Sequence, residues 1–126
     1  MYGFAAAAID APGHGGRPRS AVEEQVRADL RRAMQAGEPV EEIFDALIVS
    51  LVERAVPEWR ATLDALLSLP EIGGPVGYSG MTAIGIRLAV VEQRILAAVF
   101  FAGGFVPGIL REEARQVTIP QQFLLQ

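Results

Sequence analysis

The part of the sequence best suited to chemistry is GGPVGYSGMTAIG, residues 73 to 85, in which Ser79 stands between glycines. A short apolar run typical of a strand precedes Ser79, and a run typical of a helix follows it. A serine on a sharp strand-to-helix turn is lifted out of the sheet, and the next backbone N–H then points toward a developing oxyanion. The segment therefore indicates a nucleophile elbow, with Ser79 as nucleophile and the Gly80 N–H as oxyanion donor.

The elbow pattern departs from the usual one at a single position. The usual motif is GxSxG, whereas Gly77, Tyr78, Ser79 and Gly80 are followed by Met81 where the second glycine should stand. The local residues leave a second interpretation open, in which Ser79 caps the following helix and the two glycines shape a tight turn. The segment alone does not decide between a nucleophile and a helix cap.

A serine nucleophile also needs a base to accept its proton and an acid to orient that base. The sequence contains one histidine, His14, in the turn-rich segment APGHGGRP. We interpret His14 as a turn residue whose ring hydrogen-bonds within the loop, and Asp10 with His14 as too few ligands for a metal site. Four other acidic residues are interpreted as solvated charges: Asp45, Glu53, Asp64 and Glu92. The sequence predicts neither a metal nor a cofactor.

Several helices and strands must position this segment. YGFAAAAID, residues 2–10, is an apolar run typical of a buried strand. Ser20 and Glu23 form a capping box for a helix that ends at Gly37, with an apolar face made of Val22, Val26, Leu30 and Met34. A second helix is predicted with Pro39 in its first turn, interrupted or kinked at Pro57 and ended by Pro70. Its predicted apolar face includes Ile43, Phe44, Leu47, Ile48, Leu51, Val52 and Ala55.

The second half of the chain alternates strands with helices. We predict a strand at GPVGYS, a helix over residues 80–93, a strand at RILAAVFFAG, a helix over residues 108–116 and a last strand at IPQQFLLQ. Such alternation predicts an α/β fold with a mainly parallel sheet of about four strands flanked by helices. Residues 1–126 are expected to form one domain, and residues 20–56 a helical insertion within it. Trp59 is expected to pack in the core rather than to form a substrate platform.

Composition narrows the classes of partner. The net charge is −4 and the eleven basic residues, all arginines, are scattered along the sequence, which argues against binding nucleic acid. The absence of cysteine excludes disulfides and thiolate sites and favours the cytoplasm. The longest uncharged run, residues 95–110, is shorter than the ~20 residues that span a bilayer and contains Gly103, Gly104 and Pro107. We therefore expect no membrane segment, and the N-terminus lacks the basic region of a signal peptide.

Four segments together resemble the α/β-hydrolase superfamily, in particular its dienelactone-hydrolase-like and esterase-like bacterial members: YGFAAAAIDAPGHGGRPR, PEWRATLDAL, GPVGYSGMTAIG and VEQRILAAVFFAGG. The resemblance covers nearly all of the chain. Asp10, Gly13, His14 and Gly15 match a turn of that family, and Ser79 falls on its nucleophile. The small residues Thr82, Ala83 and Gly85 fit a helix packed closely on the sheet. The resemblance implies a serine hydrolase that acts on carboxylic esters or related acyl substrates.

The same resemblance implies that strands are lacking at both ends of the chain. In the family, the catalytic histidine and acid come later than the matched residues, and one further strand lies between the strand of YGFAAAAID and that of PVGYS. We therefore expect a chain that is catalytically incomplete. The alternative is a non-catalytic interaction module that completes its sheet with another chain, including a homo-oligomer formed through open sheet edges.

Overall fold

The computed structural model describes residues 3–101 and 106–124. Within them the chain forms, in order, α1 (Ala21–Ala36), α2 (Glu41–Leu67), β1 (Val76–Met81), α3 (Thr82–Val91), β2 (Ile95–Phe101), α4 (Gly108–Ala114) and β3 (Gln121–Phe123). The strands form one parallel sheet in the order β1-β2-β3. The α/β class is therefore as predicted, with helices between consecutive parallel strands.

Helix α3 connects β1 to β2 and packs on both strands, whereas α2 and α4 pack on α3 and α1 packs on α2. Close packing of α3 on the sheet depends on Gly85. A Cβ atom at Gly85 would lie 2.5 Å from Phe100 Cε1 and 2.6 Å from Tyr78 Cε1. The two rings therefore occupy the space that a side chain would need, which confirms the predicted close approach of helix and sheet.

The core lies between the sheet and the helices. Its fully buried side chains include Phe100 on β2, Ile86 on α3, Leu110 on α4 and Val52 on α2. On α2, Leu51, Val52, Ala55 and Val56 are buried, and the first three belong to the predicted apolar face. The helix continues through Pro57 as one element and begins at Glu41, so Pro39 precedes its first turn.

The first strand expected from the sequence is not formed by the described residues. Residues 3–10 have no regular secondary structure and are exposed, with 92% of Phe4 accessible, while Tyr2 lies outside the described residues. A strand exists only where a neighbour accepts its backbone hydrogen bonds, and no described strand lies directly beside this segment. Residues 3–101 and 106–124 thus form three strands where about four were predicted, and Gly103, Gly104 and residues 125–126 fall outside the described part.

Helix α1 has the predicted capping box, in which Ser20 Oγ accepts from Glu23 N at 3.1 Å and the Glu23 carboxylate accepts from Ser20 N at 3.1 Å. Its predicted apolar face holds only in part, because Val26 and Leu30 are half-buried whereas Val22 is 73% exposed and Met34 is 62% exposed. Glu23 and Ala33 are buried instead. The ion pair between Glu23 and Arg54 of α2 accounts for the difference, since it turns the Glu23 side of α1 toward α2.

The chain exposes a large surface for its size. Its accessible surface is 8375 Å², whereas a compact monomer of 13.5 kDa exposes roughly 6,500 Å². The excess includes residues 3–10 and several apolar side chains at the ends of α1 and on β2. The folded chain therefore buries less of its surface than a compact domain of equal mass does.

Candidate functional site

Ser79 lies in β1, two residues before the strand ends at Met81, and α3 begins at the next residue, Thr82. The strand has the predicted six residues but lies two residues later than predicted, so Gly80 and Met81 belong to it rather than to a turn. The direct join of strand to helix is as expected. Open α/β sheets bind ligands at the carboxyl ends of their parallel strands. Ser79 lies near that end of β1, where a ligand-binding residue is expected.

The hydroxyl of Ser79 has no polar partner in the described ranges. The residue is exposed and lies opposite Val99 of β2. The N-cap of α3 is Met81, without a side-chain capping hydrogen bond, so the interpretation of Ser79 as a helix cap is wrong. Ser79 is left as an exposed hydroxyl on the face of the sheet that it shares with Gly77.

Gly77 and Gly80 do not have left-handed backbone conformation. A strained turn is therefore not the reason for glycine at these two positions. Gly80 makes room for the Tyr78 side chain, because a Cβ atom at residue 80 would lie 2.7 Å from Tyr78 Oη. The Tyr78 hydroxyl donates to Met81 O at 3.0 Å, and burial raises the pKa of Tyr78 to about 12. Met81 packs against the main core cluster, which is a structural reason for its side chain at that position.

A cavity of about 530 Å³ lies beside β1. It is lined by β1 from Val76 to Ser79, by residues 3–7 and by Trp59, Leu63 and Leu66 of α2, together with Leu88 of α3 and Ile95 of β2. Trp59 is partly buried and packs against the core, as predicted, but it also lines this cavity. Ser79 therefore stands beside an apolar space of the size that binds small organic ligands.

The described residues bring no base to Ser79. His14 Nδ1 lies 2.9 Å from Pro12 O, which confirms the predicted hydrogen bond of its ring within the loop. Asp10 accepts from Gly16 N at 3.1 Å. Over residues 3–101 and 106–124, no histidine or carboxylate hydrogen-bonds Ser79, and no group of three potential metal ligands occurs.

The loop that contains Asp10 and His14 is instead a compact structural element. Gly15 has a positive φ of 58°, and a Cβ atom there would lie 2.4 Å from Asp10 Cγ, so glycine is required. Arg17 donates to Asp10 O at 3.1 Å and to both oxygens of Glu58 on α2, at 2.6 and 2.9 Å. The hydrogen bond from Arg17 lowers the pKa of Glu58. These contacts fix the loop on α2.

Glu92 is a buried charge that the sequence interpretation missed. Only 4% of it is exposed, and its carboxylate accepts from Arg94 Nε at 2.7 Å, from Arg94 Nη2 at 2.8 Å and from Arg60 Nε at 3.3 Å. The hydrogen bonds from Arg94 lower the pKa of Glu92 to about 2. The prediction of a solvated charge is wrong because Arg60 comes from α2, 32 residues earlier. Asp64 is exposed, as predicted, with 69% of its side chain accessible, and it pairs with Arg94 at 2.8 Å.

The cluster of Glu92, Arg94, Arg60 and Asp64 is structural rather than part of the Ser79 site. Glu92 and Arg94 precede β2, at the amino end of the sheet, whereas Ser79 is near the carboxyl end of β1. In a parallel sheet, the amino ends and the carboxyl ends of the strands lie on opposite sides of the molecule, so the cluster is far from Ser79 along the strand direction. The cluster ties the end of α3 to α2, and its carboxylates do not orient a base near Ser79.

Comparison of this chain with protein-family models, with curated proteins and with solved structures finds no match. The resemblance to α/β-hydrolases therefore stays a prediction that rests on the quoted residues. In the described part of the chain, every helix is too short or too polar to cross a bilayer.

Proposed function

We propose that this chain carries the nucleophile of a serine acyl hydrolase of the α/β-hydrolase kind, which acts on carboxylic esters or related acyl substrates. The supporting observation is the position of Ser79. Its exposed hydroxyl, without a polar partner among residues 3–101 and 106–124, lies near the carboxyl end of a parallel strand that leads directly into a helix. The apolar cavity beside it can hold the hydrocarbon part of an ester.

In the proposed reaction, Ser79 Oγ attacks the carbonyl carbon of the ester and its proton passes to a base. The N–H of Gly80 donates to the carbonyl oxygen, which gains negative charge in the tetrahedral intermediate. The intermediate collapses when the carbon–oxygen bond to the alcohol breaks and the base returns the proton to the departing alcohol. Water then hydrolyses the acyl-serine by the reverse sequence of proton transfers.

The base and acid of this reaction come from outside the described residues. We therefore propose that the isolated chain is catalytically incomplete, with the nucleophile present and its proton acceptor absent. Loss of any triad member lowers the rate by several powers of ten. Unassisted ester turnover by the chain should accordingly equal that of Ser79→Ala.

The test supplies the missing base in solution. The chain is incubated with a fluorophosphonate, with and without imidazole at about 0.1 M, and the modified residue is identified by peptide mass spectrometry. We expect imidazole-dependent modification of Ser79, absent in Ser79→Ala and retained in Ser50→Ala. Ser50 is the matched control because it is an exposed serine on α2, away from the cavity.

The proposal is contradicted if imidazole leaves Ser79 unmodified, or if Ser50 reacts to the same extent as Ser79. Either result would mean that the surroundings of Ser79 confer no reactivity beyond that of an ordinary exposed serine. Circular dichroism of Ser79→Ala verifies that the variant keeps its fold.

The proposed partner is a small neutral or acyl-bearing molecule and not a nucleic acid. Eight of the eleven arginines form ion pairs with carboxylates of this chain, namely Arg17, Arg19, Arg32, Arg54, Arg60, Arg87, Arg94 and Arg115. Paired arginines provide little net positive field for a phosphate backbone. The lack of cysteine agrees with a reducing compartment, and we propose the cytoplasm.

A further inference from the structure

Tyr78 precedes Ser79 on β1, and its side chain reaches along the end of the strand to the start of α3. The Tyr78 hydroxyl donates to Met81 O at 3.0 Å. The centroid of its ring lies 6.3 Å from that of Phe100, and a Cβ atom at Gly85 would lie 2.6 Å from Tyr78 Cε1. The ring is therefore held between β2 and α3, with its hydroxyl on the backbone where β1 joins α3.

The Tyr78 hydroxyl is a permanent donor to the carbonyl that begins α3. Burial raises the pKa of Tyr78 to about 12, so the hydroxyl stays protonated until the solution is strongly alkaline. Met81 is the N-cap of α3, and its carbonyl oxygen has two lone pairs, so it can accept from Tyr78 as well as from the first turn of the helix. Tyr78 thus fixes this end of the helix through a bond that phenylalanine could not make.

Gly80, which lies between Ser79 and Met81, packs directly against Tyr78. A Cβ atom at Gly80 would lie 2.7 Å from Tyr78 Oη and 2.9 Å from Tyr78 Cζ. Gly80 also pairs with Phe100 of β2. The backbone of Gly80 is consequently held by the sheet through β2 and by the side chain of the residue that stands two positions before it.

A second hydroxyl ties the same junction to β2. Thr82 is the first residue of α3 and is 4% exposed. Its Oγ1 donates to Phe101 O at 3.3 Å, and Phe101 is the residue of β2 that pairs with Met81. Thr82 therefore anchors the junction across the sheet, whereas Tyr78 anchors it between its own strand and the helix that follows.

We propose that Tyr78 is a positioning residue for acyl transfer at Ser79. Its hydroxyl, bonded to Met81 O, holds the backbone of Gly80 so that the Gly80 N–H stays directed at the oxyanion. The role assigned to Tyr78 rests on the proposed function, because it concerns the same reaction. Tyr78 is not the base, since its own proton is donated to Met81 O.

A fixed donor matters because the oxyanion gains its charge only in the tetrahedral intermediate. A donor that is already in place needs no reorganisation when that charge develops. The loss of one oxyanion donor lowers the rate of acyl transfer by roughly 10²–10³-fold, so loosening such a donor should have a smaller effect of the same kind.

The experiment compares the unaltered chain with Tyr78→Phe, which keeps the ring and removes the hydroxyl. Both proteins react with the fluorophosphonate in the presence of imidazole, as in the test of Ser79 above. Ser79 Oγ forms a bond to phosphorus, fluoride leaves, and imidazole takes the proton. We expect Ser79 of Tyr78→Phe to be modified at least tenfold more slowly.

Ser68→Ala is the matched control. Ser68 Oγ also donates to a backbone carbonyl, that of Ala65 at 2.6 Å, but it does so at the C-terminal end of α2. Ser68→Ala should therefore be modified at the rate of the unaltered chain. Circular dichroism verifies that both variants are folded.

A second probe separates positioning of the donor from a general loss of structure. The corresponding thiophosphonyl fluoride has sulfur in place of the phosphoryl oxygen, and sulfur is a weak hydrogen-bond acceptor. Its reaction with Ser79 should therefore depend little on the Gly80 N–H. We expect Tyr78→Phe to lower the ratio of the oxygen-probe rate to the sulfur-probe rate at least fivefold, whereas damage to the fold would slow both reactions equally.

Hydrogen exchange of backbone amides tests the role of the Tyr78 hydroxyl without the reaction. The amides of residues 80–85 should exchange at least tenfold faster in Tyr78→Phe than in the unaltered chain. The amides of Val52 and Val56, which belong to the buried core on α2, should be accelerated by a smaller factor.

Three results would overturn the role assigned to Tyr78: an unchanged rate of modification in Tyr78→Phe, an equal loss of rate with the two probes, or unchanged exchange of residues 80–85. If neither probe modifies Ser79 in the unaltered chain, the proposed function fails on its own. The exchange experiment then decides whether the Tyr78 hydroxyl holds this segment, since faster exchange supports it and equal exchange contradicts it.

Discussion

The Glu92 carboxylate is held by an arginine two residues away and by another on α2, and its pKa depends on both. Such a site could not be predicted from the sequence, because Arg60 approaches it only after α2 and α3 have packed together. The position of Ser79 near the carboxyl end of a strand and the hydrogen bond of the His14 ring were predictable, since local residue types determine them. The roles of Gly80 and Met81 were not, because they depend on the Tyr78 ring and the core.

At the residue scale, Glu92→Gln should destabilise the fold by about 2 kcal/mol at pH 7, after allowance for screening at the half-exposed arginines. The pKa of Glu92 falls from 4.5 to about 2 on folding, so its carboxylate stabilises the fold above pH 4.5. That contribution is lost as the pH falls from 4.5 through 2. Urea unfolding between pH 7 and pH 3 measures it, and the difference between the two proteins should shrink with acidification.

The matched control for this prediction is Glu38→Gln, which removes an exposed carboxylate that has no ion pair among the described residues. It should change the free energy of unfolding by less than about 0.5 kcal/mol. Equal effects of the two substitutions would mean that the Glu92 cluster contributes nothing beyond an ordinary surface charge.

Among the elements, α3 and the two strands that it connects depend most on exact packing. The sequence predicted these three elements because apolar runs and glycine mark them, although each boundary shifted by a few residues. The strand expected over residues 2–10 failed for a different reason. An apolar run specifies a segment able to form a strand, but pairing requires a neighbour, and β1 stands across a cavity from this segment. The face of α1 was predicted only in part, because the ion pair between Glu23, which is buried, and Arg54, which is partly exposed, turns another side of the helix toward α2.

Gly85→Ala tests most directly how closely α3 packs on the sheet. Alanine favours a helix by about 1 kcal/mol over glycine, but its methyl group would collide with the rings of Phe100 and Tyr78. We expect a net loss of about 1–3 kcal/mol in the free energy of unfolding, since overpacking pushes the helix away from the sheet. Thermal and urea unfolding followed by circular dichroism measure the change.

Gly108→Ala serves as the control, because among the described residues the atom nearest to a Cβ atom at the start of α4 is Arg111 Nη2, at 3.6 Å. This substitution should leave stability unchanged or raise it slightly. A Gly85→Ala protein as stable as Gly108→Ala would show that α3 has room to move, and would remove the packing explanation for glycine at residue 85.

At the scale of the whole molecule, β1 pairs with β2 on one side, and no strand of the described residues pairs with it on the other. The α/β class was predictable from the alternation of apolar and amphipathic segments, because that order leads to parallel strands joined by helices. The cavity beside β1 was not visible in the residues themselves, since it arises from where residues 3–7 and α2 lie relative to β1. The proposed acyl transfer concerns the carboxyl end of the same strand.

The large accessible surface also has a thermal consequence. A chain that keeps 8375 Å² in water when folded exposes about 15% less new area on unfolding than a compact chain of equal mass. Its heat-capacity change should therefore fall below the roughly 1.5–1.9 kcal/mol/K of an ordinary domain of 126 residues. Calorimetry at several pH values gives this quantity from the slope of enthalpy against Tm, and a value above that range would contradict the expectation. A smaller heat-capacity change flattens the stability curve, so the fold should lose comparatively little of its stability on cooling.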